Sequence, residues 1–244
     1  MINGNIALID SGIGGLNLLY ALDEKLNSTR FFYFGDNDNA PYGNKSINNL
    51  WSITMENLIF LKQFNIDYLL LGCNTLSVNL INKIEDFIGV KTIGVFPPVE
   101  STFIKKEKTL LLSTVATSRN YKENSFLTLL PLPHLAGDIE RKVFNLKGIN
   151  LNHHIPPSIY RKNYFDSVIL GCTHYDFIKN EIFDHLKPQN LITGIDYTLS
   201  YVLKELKNLK SLDKTYQNEI VFIGKNAFFN KKIYYEVVNG CKKI

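Results

Sequence analysis

Two stretches of this chain share one pattern, an unbroken apolar run closed by Gly-Cys and then by small hydrogen-bonding residues. The first is Leu69-Leu70-Leu71-Gly72-Cys73-Asn74-Thr75 and the second is Val168-Ile169-Leu170-Gly171-Cys172-Thr173-His174. A run that is apolar at every position, not at alternate ones, reads as a strand covered on both faces, as in a parallel sheet flanked by helices. The Gly-Cys then marks the carboxyl end of the strand, the edge at which open α/β sheets bind ligands. One such pattern lies in each half of the 244 residues, so each half would bring one thiol to such an edge.

The rest of the chain fits this scheme. Further strands are expected at 6–9, 31–34, 92–95, 109–112, 191–195 and 219–223, and helices at 15–26, 46–64, 76–87, 135–145, 175–185 and 198–209. Strands separated by helical stretches imply βαβ units with right-handed crossovers. The chain also repeats itself. Ile6-Ala7-Leu8-Ile9-Asp10-Ser11 opens one half, Leu110-Leu111-Leu112-Ser113-Thr114 opens the other, and each half later reaches its own Gly-Cys strand. The fold class expected is α/β with two similar lobes, pseudo-two-fold related, each a mostly parallel sheet flanked by helices, with the site in the cleft between them. Pro97-Pro98 resists regular structure and sets one boundary. The lobes are expected at 1–96 completed by 208–244, and at 97–207, with the second crossing near 207–212.

Composition narrows the function classes. Hydrophobic residues are 45% and charged residues 20%, ordinary for a soluble globular chain, and the net charge of +4 comes from scattered lysines. These read as solvated surface, so no nucleic-acid partner is expected. No run approaches the ~20 apolar residues of a membrane span. Met1-Ile2-Asn3-Gly4-Asn5 lacks the basic and apolar regions of a secretion signal. Three cysteines without such a signal suggest reduced thiols and a cytoplasmic location. No spacing of Cys and His resembles a zinc site, and P-loop, Gly-x-Ser-x-Gly and His-Glu-x-x-His motifs are absent.

Two thiols facing one cleft from opposite sides can take a proton from one face of a carbon and return one to the other. A thiol works as a base only as thiolate, with an ordinary pKa near ~8.5, so Cys73 and Cys172 need help from helix amides, a cation or a neighbouring base. Asp10, at the end of the first strand, is placed to orient or relay a proton to a thiol. Its alternative is to cap the helix after Gly12-Ile13-Gly14-Gly15. His174, two residues after Cys172, can be acid or base; its alternative is a buried neutral imidazole. Glu140 is an acidic candidate whose alternative is a solvated helix carboxylate. Ser11, Asn74, Thr75, Ser77, Thr114, Thr117 and Thr173 stand at loop starts, where each can cap a helix or hold a polar ligand. Residues 37–44, with Pro41, Tyr42 and Gly43, are rich in turn formers and follow a strand, which favours a binding loop. Cys241 has no such setting and is assigned no role.

Together these residues resemble the cofactor-independent glutamate racemases, over 6 to about 196. Asp10-Ser11-Gly12-Ile13-Gly14-Gly15-Leu16 is similar to the family's opening motif, Gly35-Asp36 with Pro41-Tyr42-Gly43 to its Pro-Tyr-Gly loop, and Ser113-Thr114-Val115-Ala116-Thr117 to its central threonine segment. Cys73-Asn74-Thr75 and Gly171-Cys172-Thr173-His174-Tyr175 are similar to its two catalytic motifs. The resemblance implies that Cys73, assisted by Asp10, takes the α-proton of D-glutamate, and that Cys172, assisted by His174, takes that of L-glutamate. It implies no cofactor, pyridoxal phosphate included. It further implies that Ser11, Asn74, Thr75, Thr114, Thr117 and Thr173 hold the α-amino and α-carboxylate groups and that Pro41, Tyr42 and Gly43 hold the side-chain carboxylate. Glutamate for peptidoglycan precursors is the substrate expected, and a homodimer the expected assembly. His174 stands where aspartate racemases usually carry Glu. A racemase for another acidic amino acid and a non-catalytic homologue remain open here. The chain departs from the pattern at Leu76, Asp176 and Asp196-Tyr197, and 132–140 matches poorly.

Overall fold

The computed structural model describes residues 4–159, 164–206 and 217–240; the expected crossing at 207–212 and Cys241 both fall outside them. The first sheet holds β1 (Gly4–Asp10), β2 (Thr29–Gly35), β3 (Tyr68–Leu71), β4 (Lys91–Gly94) and β9 (Glu219–Ile223). The second holds β5 (Thr109–Ser113), β6 (Leu127–Pro131), β7 (Ser167–Gly171) and β8 (Asn190–Thr193). Their orders are β4-β3-β1-β2-β9 and β6-β5-β7-β8, and every pairing is parallel. Read from the other edge, the second sheet runs β8-β7-β5-β6, the same order as β4-β3-β1-β2. The repeat seen in the sequence is thus a repeat of topology, with β3 and β7, the two strands that end in Gly-Cys, in equivalent places beside the central strands β1 and β5.

Unbroken apolar runs are required because both faces of each sheet are covered. Alternate residues of one strand enter different cores. Ile6, Leu8 and Leu70 of the first sheet share one cluster with Leu110, Leu112, Val168 and Leu170 of the second. Ala7, Ile9, Leu69 and Leu71 face the opposite way, into a cluster with Leu58, Leu76, Leu80 and Ile84. The matching outer face of the second sheet is thinner, built on Val99, Leu111, Leu127 and Ile169. One continuous core therefore ties the two sheets together. Each fully buried aliphatic side chain in it stabilises the fold by roughly 1.5–3 kcal/mol.

The helices follow from spacing and caps. Helix α1 (Leu16–Asp23) follows the glycine loop. Helix α2 (Ile47–Leu61) buries Leu50, Thr54, Leu58 and Leu61, and the Ser46 side chain caps it by accepting from the Asn49 amide at 3.3 Å. Helix α3 (Asn74–Ile88) buries Leu76, Leu80, Ile84 and Ile88, a four-residue rhythm on one face. It stops at Gly89, whose φ of 77° is the left-handed conformation that ends helices. Helices α4 (Val99–Ile104), α5 (Val115–Ser118) and α6 (Leu135–Arg141) follow. The helix expected at 175–185 is instead a 3-10 turn, Thr173–Ile178, continued by α7 (Lys179–Leu186). Helix α8 (Gly194–Glu205) starts earlier than expected, directly from β8. Helix α9 (Ala227–Ile233) and β6 were not expected from the sequence. Among the described residues no helix is long and apolar enough to cross a membrane.

Candidate active site

Each cysteine is the extended residue that joins a strand to the turn after it. Cys73 caps α3 with φ −109° and ψ 119°, and Cys172 caps Thr173–Ile178 with φ −151° and ψ 126°. Both thiols are free and buried. Charge on Cys172 acts on Cys73 and raises its pKa.

What surrounds Cys73 is carboxylate and amide. Asp10, at the end of β1, is fully buried. Its Oδ1 accepts from the Gly12 amide at 2.8 Å, and its Oδ2 has no hydrogen-bond partner. Burial raises the Asp10 pKa, against the opposing pull of His174. The Cys73 thiol is pushed up to about 12, first by burial and then by Asp10, while the Leu76 amide and the Ser11 side chain pull the other way. Ser77 Oγ donates to the Cys73 carbonyl at 3.0 Å and tightens the first turn of α3.

Cys172 has an imidazole behind it. His174 Nδ1 lies 4.0 Å from its Sγ, and His174 Nε2 lies 2.6 Å from Glu140 Oε2. Burial alone would lower the His174 pKa, but the hydrogen bonds and charges of Cys172 and Glu140 outweigh it and hold that pKa well above the usual imidazole value. Glu140, on α6, also accepts from the Ile13 amide at 3.3 Å and from the Asn37 side-chain amide. The solvated alternative for Glu140 is therefore not what the fold builds.

The glycine loop after β1 brings these halves together. A Cβ on Gly14 would sit 2.7 Å from His174 Nδ1, and one on Gly72 would sit 2.8 Å from the Cα of Gly15. The spacing Gly12-Ile13-Gly14-Gly15 thus serves close approach of backbone to His174, Thr173 and Asp10 and to the end of β3. Thr173 Oγ1 also abuts Gly14.

The short polar residues cluster beside the thiols. Thr75 Oγ1 is 3.0 Å from Thr114 Oγ1 and 3.3 Å from Thr117 Oγ1, joining α3 to α5 across the two sheets. Thr114 also caps α5, accepting from the Thr117 amide at 3.2 Å. Asn74 donates to the Val95 carbonyl at 3.1 Å and leaves a buried Oδ1 unpartnered. Together with Asp10 Oδ2, that is a second buried acceptor with nothing to accept, the condition a ligand with N–H donors would relieve. Tyr42 is buried at the start of its turn. Its hydroxyl donates to Asp36 Oδ2 at 2.6 Å, and Asn57 donates to both, so the phenol fixes the loop. Gly43 packs against Thr114, and Pro41 lies near Gly137 of α6. Asp36, Asn37 and Asn57 are the supporting residues that sequence reasoning gave no role.

A cavity of about 880 Å³ is lined by Glu85, Phe96, Pro98, Tyr121 and Tyr201, none of them among these groups. No group of three metal-ligating side chains occurs among the described residues.

No family model matches the sequence. The glutamate racemase of Clostridium novyi is 33% identical over 227 residues, covering 86% of this chain and 87% of that protein. The chain belongs to the glutamate racemases. It is an isomerase that interconverts L- and D-glutamate. The glutamate racemase of Aquifex pyrophilus superposes with a TM-score of 0.69 at 26% identity, covering 95% of each chain. That of Campylobacter jejuni superposes with a TM-score of 0.81 at 23% identity, covering 98% of this chain and all of that one, and so shares the two-sheet fold.

Proposed function

We propose that racemisation here runs by two-base proton transfer between Cys73 and Cys172. The observation that supports this reading is that two buried thiols stand at equivalent strand ends, with His174 Nδ1 4.0 Å from Cys172 and the Asp10 charge acting on Cys73. In one direction the Cys172 thiolate takes the α-proton of L-glutamate, leaving a planar carbanionic species, and the Cys73 thiol gives its proton to the opposite face. The reverse direction exchanges the roles. His174, held by Glu140, takes up and returns the Cys172 proton, and Asp10 does so for Cys73. Positioned proton transfer contributes ~10²–10⁴-fold. Stabilisation of the carbanion by fixed amides and hydroxyls in a dry site supplies much of the remainder.

Ser11, Asn74, Thr75, Thr114, Thr117 and Thr173 bind the α-amino and α-carboxylate groups, and backbone amides near Tyr42 and Gly43 bind the side-chain carboxylate. The unpartnered Asp10 Oδ2 and Asn74 Oδ1 are matched to an ammonium. With both thiols buried, the lobes 1–96 with 208–244 and 97–207 open to admit substrate and close to exclude water. The physiological role is supply of D-glutamate for peptidoglycan precursors in the cytoplasm, by a homodimer. Proton NMR of the protein with each glutamate enantiomer in D₂O tests the scheme. Loss of the α-proton signal from both, with the opposite enantiomer appearing, is expected. Full racemisation by Cys73→Ala or Cys172→Ala would overturn it, and faster turnover of aspartate would reassign the substrate.

A further inference from the structure

Behind the His174–Glu140 pair stands a second layer that comes from the other lobe. Glu140 accepts from the Asn37 side-chain amide. Asn37 Oδ1 in turn accepts from Asn230 Nδ2 at 2.9 Å. Asn230 is fully buried on α9, and its Nδ2 also points to the Gly35 carbonyl at 3.5 Å. A Cβ on Gly35 would come within 2.6 Å of that Nδ2, so the glycine at the end of β2 makes room for it.

The chemistry fixes the direction of this chain. A carboxylate only accepts, so the Asn37 atom facing Glu140 must be its NH₂, and the atom left for Asn230 must be its oxygen. That oxygen requires a donor, so Asn230 must present Nδ2, and its own Oδ1 is left buried without a partner. An acceptor stranded in this way is unfavourable, and the arrangement that strands it is the one that presents a donor to Glu140.

We propose that Asn230 and Asn37 form a directional amide relay that holds Glu140 on His174, making them positioning residues for the Cys172 half of the reaction. The relay deepens the two-cysteine reading and rests on it. Neither residue touches the thiols. They act by keeping the Glu140 carboxylate turned toward Nε2 of His174. The titratable groups facing this pair are Cys172 from β7's end, Asp10 from β1's end, and Tyr33 from β2, and the relay adds donors without adding charge.

The test compares the parent protein with Asn37→Ala, Asn230→Asp and, as a control, Asn226→Ala, whose side chain reaches only Asp38 at the surface. A carboxylate at 230 cannot donate, so it would turn the Asn37 oxygen toward Glu140. Asn37 is a half-buried loop residue, so its variant decides the matter if the buried substitution prevents folding. In Asn37→Ala, kcat/KM is expected to fall about 10- to 100-fold, the range for losing a hydrogen bond to a charged group. The loss should fall on one proton transfer. The deuterium effect on kcat/KM should rise with L-[2-²H]glutamate, whose C–D bond Cys172 breaks, and shrink toward unity with D-[2-²H]glutamate. The His174 imidazole, followed by NMR, should lose its proton at a lower pH than in the parent. Asn226→Ala should match the parent in both. Unchanged isotope effects and unchanged His174 titration in folded Asn37→Ala would overturn the relay. Failure of the two-cysteine reading looks different, because Cys172→Ala would then still racemise whatever Asn37→Ala does.

Discussion

The two thiols stand on equivalent strands of equivalent sheets, yet what lies behind them differs in kind. Cys73 opens a full helix, α3, and has a carboxylate, Asp10, from its own sheet. Cys172 opens a 3-10 turn and has an imidazole two residues on, held by a carboxylate from α6. Burial and the Asp10 charge push the Cys73 thiol up to about 12, whereas Cys172 and Glu140 hold the His174 pKa well above the usual imidazole range. A substrate and its mirror image call for mirrored proton transfers, but a chain of L-residues cannot build mirrored surroundings. The repeated topology places two thiols at equivalent strand ends, and their neighbours differ.

The comparison breaks most completely if one thiol suffices. Cys73→Ala and Cys172→Ala should each lower racemisation by at least ~10²–10⁴-fold, the contribution of a positioned acid or base, measured by loss of optical rotation. The next largest effect sharpens it. Asp10→Asn and Glu140→Gln should each slow turnover by roughly 10–100-fold, with opposite isotope signatures: the deuterium effect should concentrate on D-[2-²H]glutamate for Asp10→Asn and on L-[2-²H]glutamate for Glu140→Gln. Glu140→Gln has a pH consequence as well. The Glu140 charge raises the His174 pKa, so without it His174 should lose its proton at lower pH than in the parent, seen by NMR titration. Smallest is a difference in stability between the two strand ends. A Cβ on Gly72 meets the backbone of Gly15 at 2.8 Å, while one on Gly171 meets the end of the Leu111 side chain at 2.8 Å, the Ser113 Cβ at 3.0 Å and backbone, the Leu112 carbonyl, only at 3.1 Å. Backbone cannot yield as a side chain can, so Gly72→Ala should cost more than Gly171→Ala, within the roughly 1–3 kcal/mol typical of overpacking, read from thermal unfolding.

The sequence carried the frame of this site because the frame is local. Apolar runs ending in Gly-Cys, the glycine loop after Asp10 and the His two residues beyond Cys172 are all contiguous patterns. Glu140 was only a candidate, because an ordinary helix carboxylate has the same local appearance whether it meets water or an imidazole. Asn37 fell in the loop expected to bind, but neither it nor Asn230 could be given a role in a chain rich in asparagine, since what distinguishes them is contact between residues far apart in sequence. Strand β6 was missed because Leu127-Thr128-Leu129-Leu130-Pro131 is short and only half-buried at its centre. Tyr42 sat in the expected loop, but which way its hydroxyl bonds depends on Asp36 and Asn57, a matter of packing that no spacing reveals.

One pairing sets the order of events when the chain is made. Strand β9 lies beside β2 at the edge of the first sheet, though it follows every strand of the second sheet in the chain. Asn218 locks it there, donating to the carbonyls of Asp23 and Leu26 at 2.9 and 2.7 Å and accepting from the Thr29 amide at 3.0 Å. During synthesis the flank of β2 stays open while the whole second sheet emerges from the ribosome. A nascent chain therefore carries an unpaired strand edge, an invitation to wrong partners, and holds both thiols before the first sheet is closed. Chaperone dependence of this enzyme should accordingly trace to the interval between translation of β2 and of β9.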